Sequence, residues 1–469
     1  MDAAAVKRFI VDWIEDNKAE FDACSQFLFD NPELGMQEFE AARLFGQIAE
    51  KHGFKVDRGV AGMPTAFVAV YGSGSPVLGF NAEYDGLPGL SQKVAEHKDP
   101  VIEGAPGHGC GHCLLGVGGM QAAIALRYAM ERFGLDGTVR IFGTPAEEIC
   151  IGKPFMARAG LFDGVDAFLD WHPWFNKSFV HRGTNAYFSK YYHFKGRTSH
   201  GNAPWNGRSA LDAGMLMGHA VELLREHIVP GPEAAANTIN YTFSSVGPEF
   251  PSVVPDRSSL WFVGRFTSTE IMSDVVERID NCAKGAALAT GTAVDMELVT
   301  AVHENLPNKT LARVVHDNFL ALGPLSLTDE EQAFARKLQE NAGNDPVGIV
   351  QDHLPPSEFD APMTDVSEYS WFAPLATMWT AVFPGPVLHH WVITAAAGSG
   401  IGKKAFSYAA KFLANSALDL IVRPELLAEA RNEHRERLNG RVFKSLLPGD
   451  LMPPLDANKA TMEKYRRKA

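Results

Sequence analysis

Apolar residues recur at helical spacing over 5–29, with Phe9, Ile10, Trp13, Ile14, Phe21 and Phe27 on one face, and again over 38–52. Strand-like runs follow at 66–71 and 77–83, then a glycine-rich stretch at 107–111 and a long helical pattern over 114–133. Two further strand-like runs, 138–143 and 167–171, end in Thr-Pro and His-Pro. Alternating strands and helices predict an α/β layered domain. The texture changes near 186. An aromatic alternating run at 186–195, a helix at 211–227, strands at 238–245 and 258–267, a helix at 270–290 and a strand at 293–302 follow. This β-α-β-β-α-β order predicts an open-faced, ferredoxin-like α+β insert. Helix–strand alternation resumes at 311–322, 329–342, 376–383 and 401–421. The pattern therefore predicts an α/β domain split into 1–185 and 303–469, interrupted by a lid-like insert at 186–302. The charged, proline-punctuated tail from 425 to 469 is expected to wrap the surface.

Length alone, 469 residues, allows two or three domains, and the patterning selects two. Hydrophobic residues at 46% and charged residues at 21% exclude wholesale disorder. A net charge of −13 argues against nucleic-acid and anionic-membrane partners. The first eight residues already carry charges, unlike a secretory signal. No run reaches ~20 apolar residues without a charge or turn breaker. The small-residue stretch 395–413 is cut by Gly398, Gly400, Gly402, Lys403 and Lys404. Five cysteines in so long a chain make no disulfide framework. A soluble cytoplasmic enzyme acting on a small molecule is expected.

The densest chemistry is Gly107-His108-Gly109-Cys110-Gly111-His112-Cys113, just before a helix. A Cys110/Cys113 thiol–disulfide pair, a metal site on Cys110 and His112, and a plain glycine turn with buried cysteines stand level on this segment alone. A helix start is expected to favour the ligating thiolate. Glu147-Glu148 breaks the tie, because it follows a strand where open α/β sheets keep their sites. His172 closes another apolar run, and His389-His390 follow far downstream. Imidazole, carboxylate and one thiolate suit Zn²⁺ or Mn²⁺. Asp85 is placed to orient a ligand, or is simply a turn residue before Gly86. No Gly-x-Ser-x-Gly elbow supports a serine hydrolase. Gly398 to Lys403 lacks phosphate-loop spacing and reads as a turn opening a helix.

Gly-His-Gly-Cys-Gly-His at 107–112, Gly-Thr-Pro-Ala-Glu-Glu at 143–148, Trp-His-Pro at 171–173 and Ser-His-Gly-Asn-Ala-Pro at 199–204 together resemble the M20 metallopeptidase/amidohydrolase family. Asn-Pro-Glu-Leu-Gly at 31–35, Leu-Pro-Gly-Leu-Ser-Gln at 87–92 and Thr-Asp-Val-Ser at 364–367 are similar to its aminobenzoyl-glutamate hydrolase branch, in the B-type form. The resemblance implies a di-zinc aminopeptidase-like catalytic domain with an inserted α+β lid, dimerising through that lid. It implies one or two divalent ions (Mn²⁺ or Zn²⁺) held by Cys110, His112, Glu148, His172 and His389. His389 is preferred to His390 because it lies two residues before Trp391, as in the branch. Glu147 resembles the general base and acid, and His200 the histidine that polarises the scissile carbonyl. The implied reaction is hydrolysis of an N-acyl or N-aroyl amino acid.

Alternatives are hydrolysis of auxin-type conjugates, deamination of an aromatic amine, thiol–disulfide exchange at Cys110/Cys113, and a non-catalytic metal-binding role. Arg208 is a candidate carboxylate anchor. Trp174, Phe175 and Trp205 are candidate walls of an aromatic pocket. Three positions depart from the family pattern: Cys113, Asn240 and Ser252. The last two fall on the lid surface expected to meet substrate.

Overall fold

The computed structural model describes residues 2–180, 182–231, 237–356, 359–361 and 363–466. Its six-stranded sheet runs in the order Lys55–Arg58, Phe67–Ser73, Gly137–Thr144, Val77–Glu83, Ala167–Phe175, Leu375–Phe383. The last four are mutually parallel; Phe67–Ser73 pairs antiparallel with both of its neighbours. These parallel strands read as near-continuous apolar runs because both faces of the sheet are covered. Leu78, Phe80, Ile141, Leu169 and Met378 belong to one core, packed with helices Ala3–Asp16, His112–Phe133 and Gly400–Val422. Phe142, Phe168 and Leu375 belong to a second core with Phe155, Phe162 and Tyr369.

Helix His112–Phe133 lies unusually close to strand Val77–Glu83. A Cβ on Gly116 would stand 2.2 Å from the Glu83 carbonyl, and one on Gly119 2.1 Å from that of Asn81. Only glycine permits that approach. This helix is also long and apolar enough to cross a membrane by length and composition, which the sequence pattern did not reveal. It is nevertheless a buried core helix, with 89% of its most apolar window inside the protein.

The second sheet has four antiparallel strands in the order Ala293–Val302, Ala186–Lys195, Arg257–Phe266, Thr238–Gly247. Helices Ala210–Arg225 and Thr269–Thr290 pack on it around a separate core that includes Phe188, Tyr192, Leu260 and Phe262. The chain thus has the mixed α/β architecture expected, with this smaller α+β unit inserted into it.

Three elements differ from the reading by pattern. The helix expected over 5–29 is two, Ala3–Asp16 and Lys18–Asp30, because the chain breaks at Asn17 and the second helix starts afresh. Strand Lys55–Arg58 has no counterpart in the pattern, being short, polar and almost wholly exposed at the sheet edge. The tail is more structured than a surface wrap: Pro424 opens helix Pro424–Leu438, as a first-turn proline favours. Farther on, the Arg158 guanidinium donates to the carbonyls of Pro448 and Leu451 and anchors the tail to the α/β domain.

Candidate metal centre

The carboxyl ends of the parallel strands converge, the usual seat of a site in an open α/β sheet. Strand Val77–Glu83 delivers Glu83 and, two residues on, Asp85. Glu147 and Glu148 follow Gly137–Thr144, His172 lies within Ala167–Phe175, and His389 follows Leu375–Phe383. Helix His112–Phe133 contributes His112 at its first residue, with Cys110 two residues ahead, beyond the Gly111 cap. Two backbones are bent to achieve this. Ala146 and His389 have φ of 58°, in the left-handed region that non-glycine residues avoid. The His389 conformation is held by its own N–H, which donates to the Gly109 carbonyl at 2.9 Å. That bond ties the late histidine to the Cys110 loop.

Three overlapping sets of donor atoms each lie within 4.8 Å of one another: Cys110–His112–His172, Cys110–Glu148–His389 and Glu83–His112–Glu147. Cys110 Sγ is 3.4 Å from His172 Nε2, and His389 Nε2 is 3.3 Å from Glu148 Oε2. His112 Nε2 is 3.6 Å from Glu83 Oε2 and 3.7 Å from Glu147 Oε2. His112 Nε2 and Glu148 Oε1 are buried without a hydrogen-bond partner among the described residues. Buried polar atoms are rarely left so. Orphaned donors facing a thiol, imidazoles and carboxylates fit divalent metal of the Zn²⁺ or Mn²⁺ kind.

The surrounding bonds fix these groups. His112 Nδ1–H donates to Asp85 Oδ1 at 2.8 Å, leaving Nε2 facing the cluster. The other Asp85 oxygen accepts the Glu148 backbone N–H at 2.9 Å. His172 Nδ1–H donates to the Pro173 carbonyl at 2.7 Å, which turns Nε2 towards Cys110. Thr364 Oγ1 donates to Glu147 Oε1 at 2.6 Å. Below them lies a fully buried ion group, with Lys153 Nζ 2.7 Å from Glu83 Oε1 and 2.6 Å from Asp365 Oδ1. Asn81 Nδ2 also donates to Glu83, and to Asp170, at 2.8 and 3.0 Å.

Burial and the nearby Glu83 charge push the Glu147 carboxyl up to about 7, the range a general base needs near neutral pH. Burial pushes His172 down to about 4, so its imidazole is neutral and free to ligate. Burial opposes ionisation of Glu83, but Lys153, His112 and Asn81 together outweigh it and hold that carboxyl below its ordinary value.

Residues 79–364 match Peptidase family M20/M25/M40. A p-aminobenzoyl-glutamate hydrolase of Escherichia coli (strain K12), in its B-type chain, is 33% identical over 96% of this chain and 98% of its own. The chain belongs to the M20/M25/M40 family. The Xaa-Arg dipeptidase of Mus musculus is 28% identical over 92% of this chain and 93% of its own. A dinuclear metal-binding M20 peptidase of Bacillus subtilis shares the fold, with a TM-score of 0.57 at 18% identity over 86% of this chain and 98% of that one. With this membership and the clustered donors, the protein is a metal-dependent amidohydrolase.

The M20 cluster gathers every residue the resemblance offered as a ligand, and Glu147 beside them. Of the two late histidines, His389 reaches Glu148, whereas His390 caps helix Trp391–Ala397. Arg208 lies elsewhere, donating to the carbonyls of Trp205 and Gly207. His200 is exposed in the inserted unit, its Nδ1 accepting the Asn202 N–H. Asn240 is exposed on strand Thr238–Gly247, opposite Val263, and the Ser252 carbonyl accepts the Gly201 N–H.

The thiol expectations need correction. The helix start does not lower the Cys110 thiol; burial dominates and raises it. Cys113 is buried in the main core, its thiol pushed up to about 12, and all five cysteines are free. Raised thiols are inert in disulfide exchange, so Cys113 is a packing residue. Trp205 is 73% exposed on the inserted unit. Trp174 and Phe175 do stack, at 4.5 Å, and Trp379 stacks on His172 at 4.6 Å. Trp379, Glu83, Lys153 and Asp365 stand in or against the cluster, and the sequence pattern does not single them out. Lys153 does carry a signal: a lone charge in the apolar run Gly152 to Met156 must be paired once buried.

Proposed function

We propose that this enzyme hydrolyses the amide of an N-aroyl or aromatic N-acyl amino acid, with an aminobenzoyl-glutamate-like conjugate as the first choice. The observation that carries the reading is the aromatic wall of Trp174, Phe175 and Trp379 against His172, beside the donor cluster. The name of the Escherichia coli relative points the same way.

Cys110, His112, Glu148, His172 and His389 would hold one or two divalent ions, Zn²⁺ or Mn²⁺. When bound, such ions acidify water and polarise the amide carbonyl. Glu147 removes the proton of the attacking water and returns it to the leaving amine nitrogen. Thr364 holds one Glu147 oxygen, which leaves the other to exchange the proton. His200, carried by the inserted unit, donates to the carbonyl oxygen as negative charge develops on it. Arg208 and Asn240 lie on the same unit and contact the substrate's amino-acid part. Asp85 holds His112 in the ligating tautomer. Asp85→Asn is expected to weaken metal affinity about 10–100-fold, read by titration of the metal-free protein.

The assigned domains are 1–185 with 303–469 for catalysis and 186–302 as the lid. A homodimer forms through the lid. Strand Thr238–Gly247 is an edge strand of its sheet, and Met215, Leu216 and Leu223 of helix Ala210–Arg225 and Phe243 of the strand are exposed. An unpaired strand edge beside exposed apolar residues invites pairing with another copy. The five free cysteines accord with a cytoplasmic enzyme.

The test is a chromatographic panel of p-aminobenzoyl-glutamate, benzoyl-glycine, indole-3-acetyl-aspartate and their N-acetyl counterparts. The aromatic conjugates are expected to exceed the acetyl ones in kcat/KM by at least about tenfold. Equal rates on the acetyl compounds would refute the aromatic assignment.

A further inference from the structure

The turn at 33–38 supplies no donor to the metal cluster, yet it braces two of the strand ends that carry it. The Glu33 carbonyl accepts the Gly86 N–H at 2.7 Å, next to Asp85. A Cβ on Gly35 would stand 3.0 Å from Ala146 Cα, so glycine lets the turn lie against the residue that precedes Glu147. Glu38 closes the turn and is wholly buried. Its Oε1 accepts the Ala146 N–H at 2.7 Å. Glu38 also stands at the N-cap of helix Phe39–Lys51, but its side chain makes no capping bond there. Glu33 serves that helix start instead, its Oε2 accepting the N–H groups of Glu40 and Ala41. The buried Glu38 carboxyl is thus committed to a peptide 108 residues away.

That peptide is in an unfavourable conformation. Ala146 has φ 58° and ψ 41°, and Cys150 has φ 54° and ψ 45°, both left-handed. Glu147 and Glu148 lie between these two bends. The Ile151 N–H closes the turn on the Ala146 carbonyl at 3.1 Å, and the Cys150 N–H donates to that of Glu147 at 2.8 Å. Two carboxyls hold its outer N–H groups: Glu38 takes that of Ala146, and Asp85 that of Glu148. Burial and the neighbouring Asp85 charge raise the Glu38 carboxyl well above its ordinary value. A carboxyl accepts this bond in either protonation state, so a neutral amide of the same shape can replace it.

We propose that Glu38 is a positioning residue of the metal centre: its carboxyl holds the Ala146 peptide in the left-handed turn that directs Glu147 and Glu148 into the cluster. The inference rests on the roles given above to those two glutamates. Glu38 touches neither ion nor substrate and acts through the backbone alone.

Titration of the metal-free protein with Zn²⁺, followed by turnover of the metal-saturated samples on the amide panel above, tests this with two variants. Glu38→Met keeps the length of the side chain and removes the acceptor. It is expected to weaken Zn²⁺ binding about 10–100-fold and to lower kcat at least about tenfold with KM within about threefold of the parent. Glu38→Gln keeps the acceptor and is expected to stay within about threefold of the parent in all three quantities. Glycine adopts the left-handed conformation freely, so adding Ala146→Gly to Glu38→Met is expected to recover at least about threefold of the lost affinity. Parent affinity and kcat in Glu38→Met would overturn the proposal. So would a loss in Glu38→Gln equal to that in Glu38→Met, or failure of both the Met variant and its Gly double variant to fold, which would make Glu38 a stability residue only. Failure of the metal-centre reading itself shows in the parent, as absence of Zn²⁺ binding, and would remove both.

Discussion

Glu147→Gln is expected to lower kcat for amide hydrolysis by about 10²–10⁴-fold and leave the metal content of the chain unchanged. The substitution keeps the shape of the side chain and the oxygen that accepts from Thr364. It removes only the capacity to take up a proton. The pH profile gives the same answer independently. Glu147 must be ionised to act as a base, and burial holds its carboxyl near 7. The parent rate should therefore fall as the pH drops through about 7, and the Gln variant should lose that acid limb. Loss of metal together with activity would instead make Glu147 a ligand, in the set it forms with Glu83 and His112.

Lys153→Met has the largest expected effect on stability, a loss of about 3–5 kcal/mol. Lys153 is wholly buried and is the cation shared by Glu83 and Asp365. Methionine fills much of the same volume but leaves the buried carboxyls of Glu83 and Asp365 without the cation they share. Thermal and denaturant unfolding of the metal-loaded protein should both show the loss. Adding Asp365→Asn removes one of the two orphaned charges, so the double variant should recover part of it. A double-mutant coupling of about 1–3 kcal/mol is expected for groups in such contact. Strict additivity of the two substitutions would mean that the ion group is not the source of the effect.

How much of the molecule is legible in its sequence follows from what each residue does. Strand Val77–Glu83 and strands Ala186–Lys195 and Ala293–Val302 match the pattern to the residue. Their periodicity is strong because burial on one or both faces dictates it. Lys55–Arg58 carries no such burial and leaves no trace in the pattern. The donor residues stand out because Cys, His and adjacent Glu are costly at strand ends unless they have work there. The groups that hold them do not stand out. Lys153, Asp365 and Glu83 act on one another across 70 residues and more, and nothing in local spacing announces a long-range ion group. The thiol error has a similar origin. A helix start favours a thiolate locally, but complete desolvation of Cys110 outweighs it, and desolvation is a property of the folded chain.

The central claim is that the strand-end cluster of Cys110, His112, Glu148, His172 and His389 is a metal centre that drives amide hydrolysis. Removing metal with a chelator and restoring it stepwise, with bound metal and amide turnover measured on the same samples, tests this most directly. The expected result is loss of turnover on stripping and recovery with Zn²⁺ or Mn²⁺ that saturates at one or two ions per chain. Full turnover by the metal-free protein, or recovery in a His172→Ala variant equal to that of the parent, would contradict it.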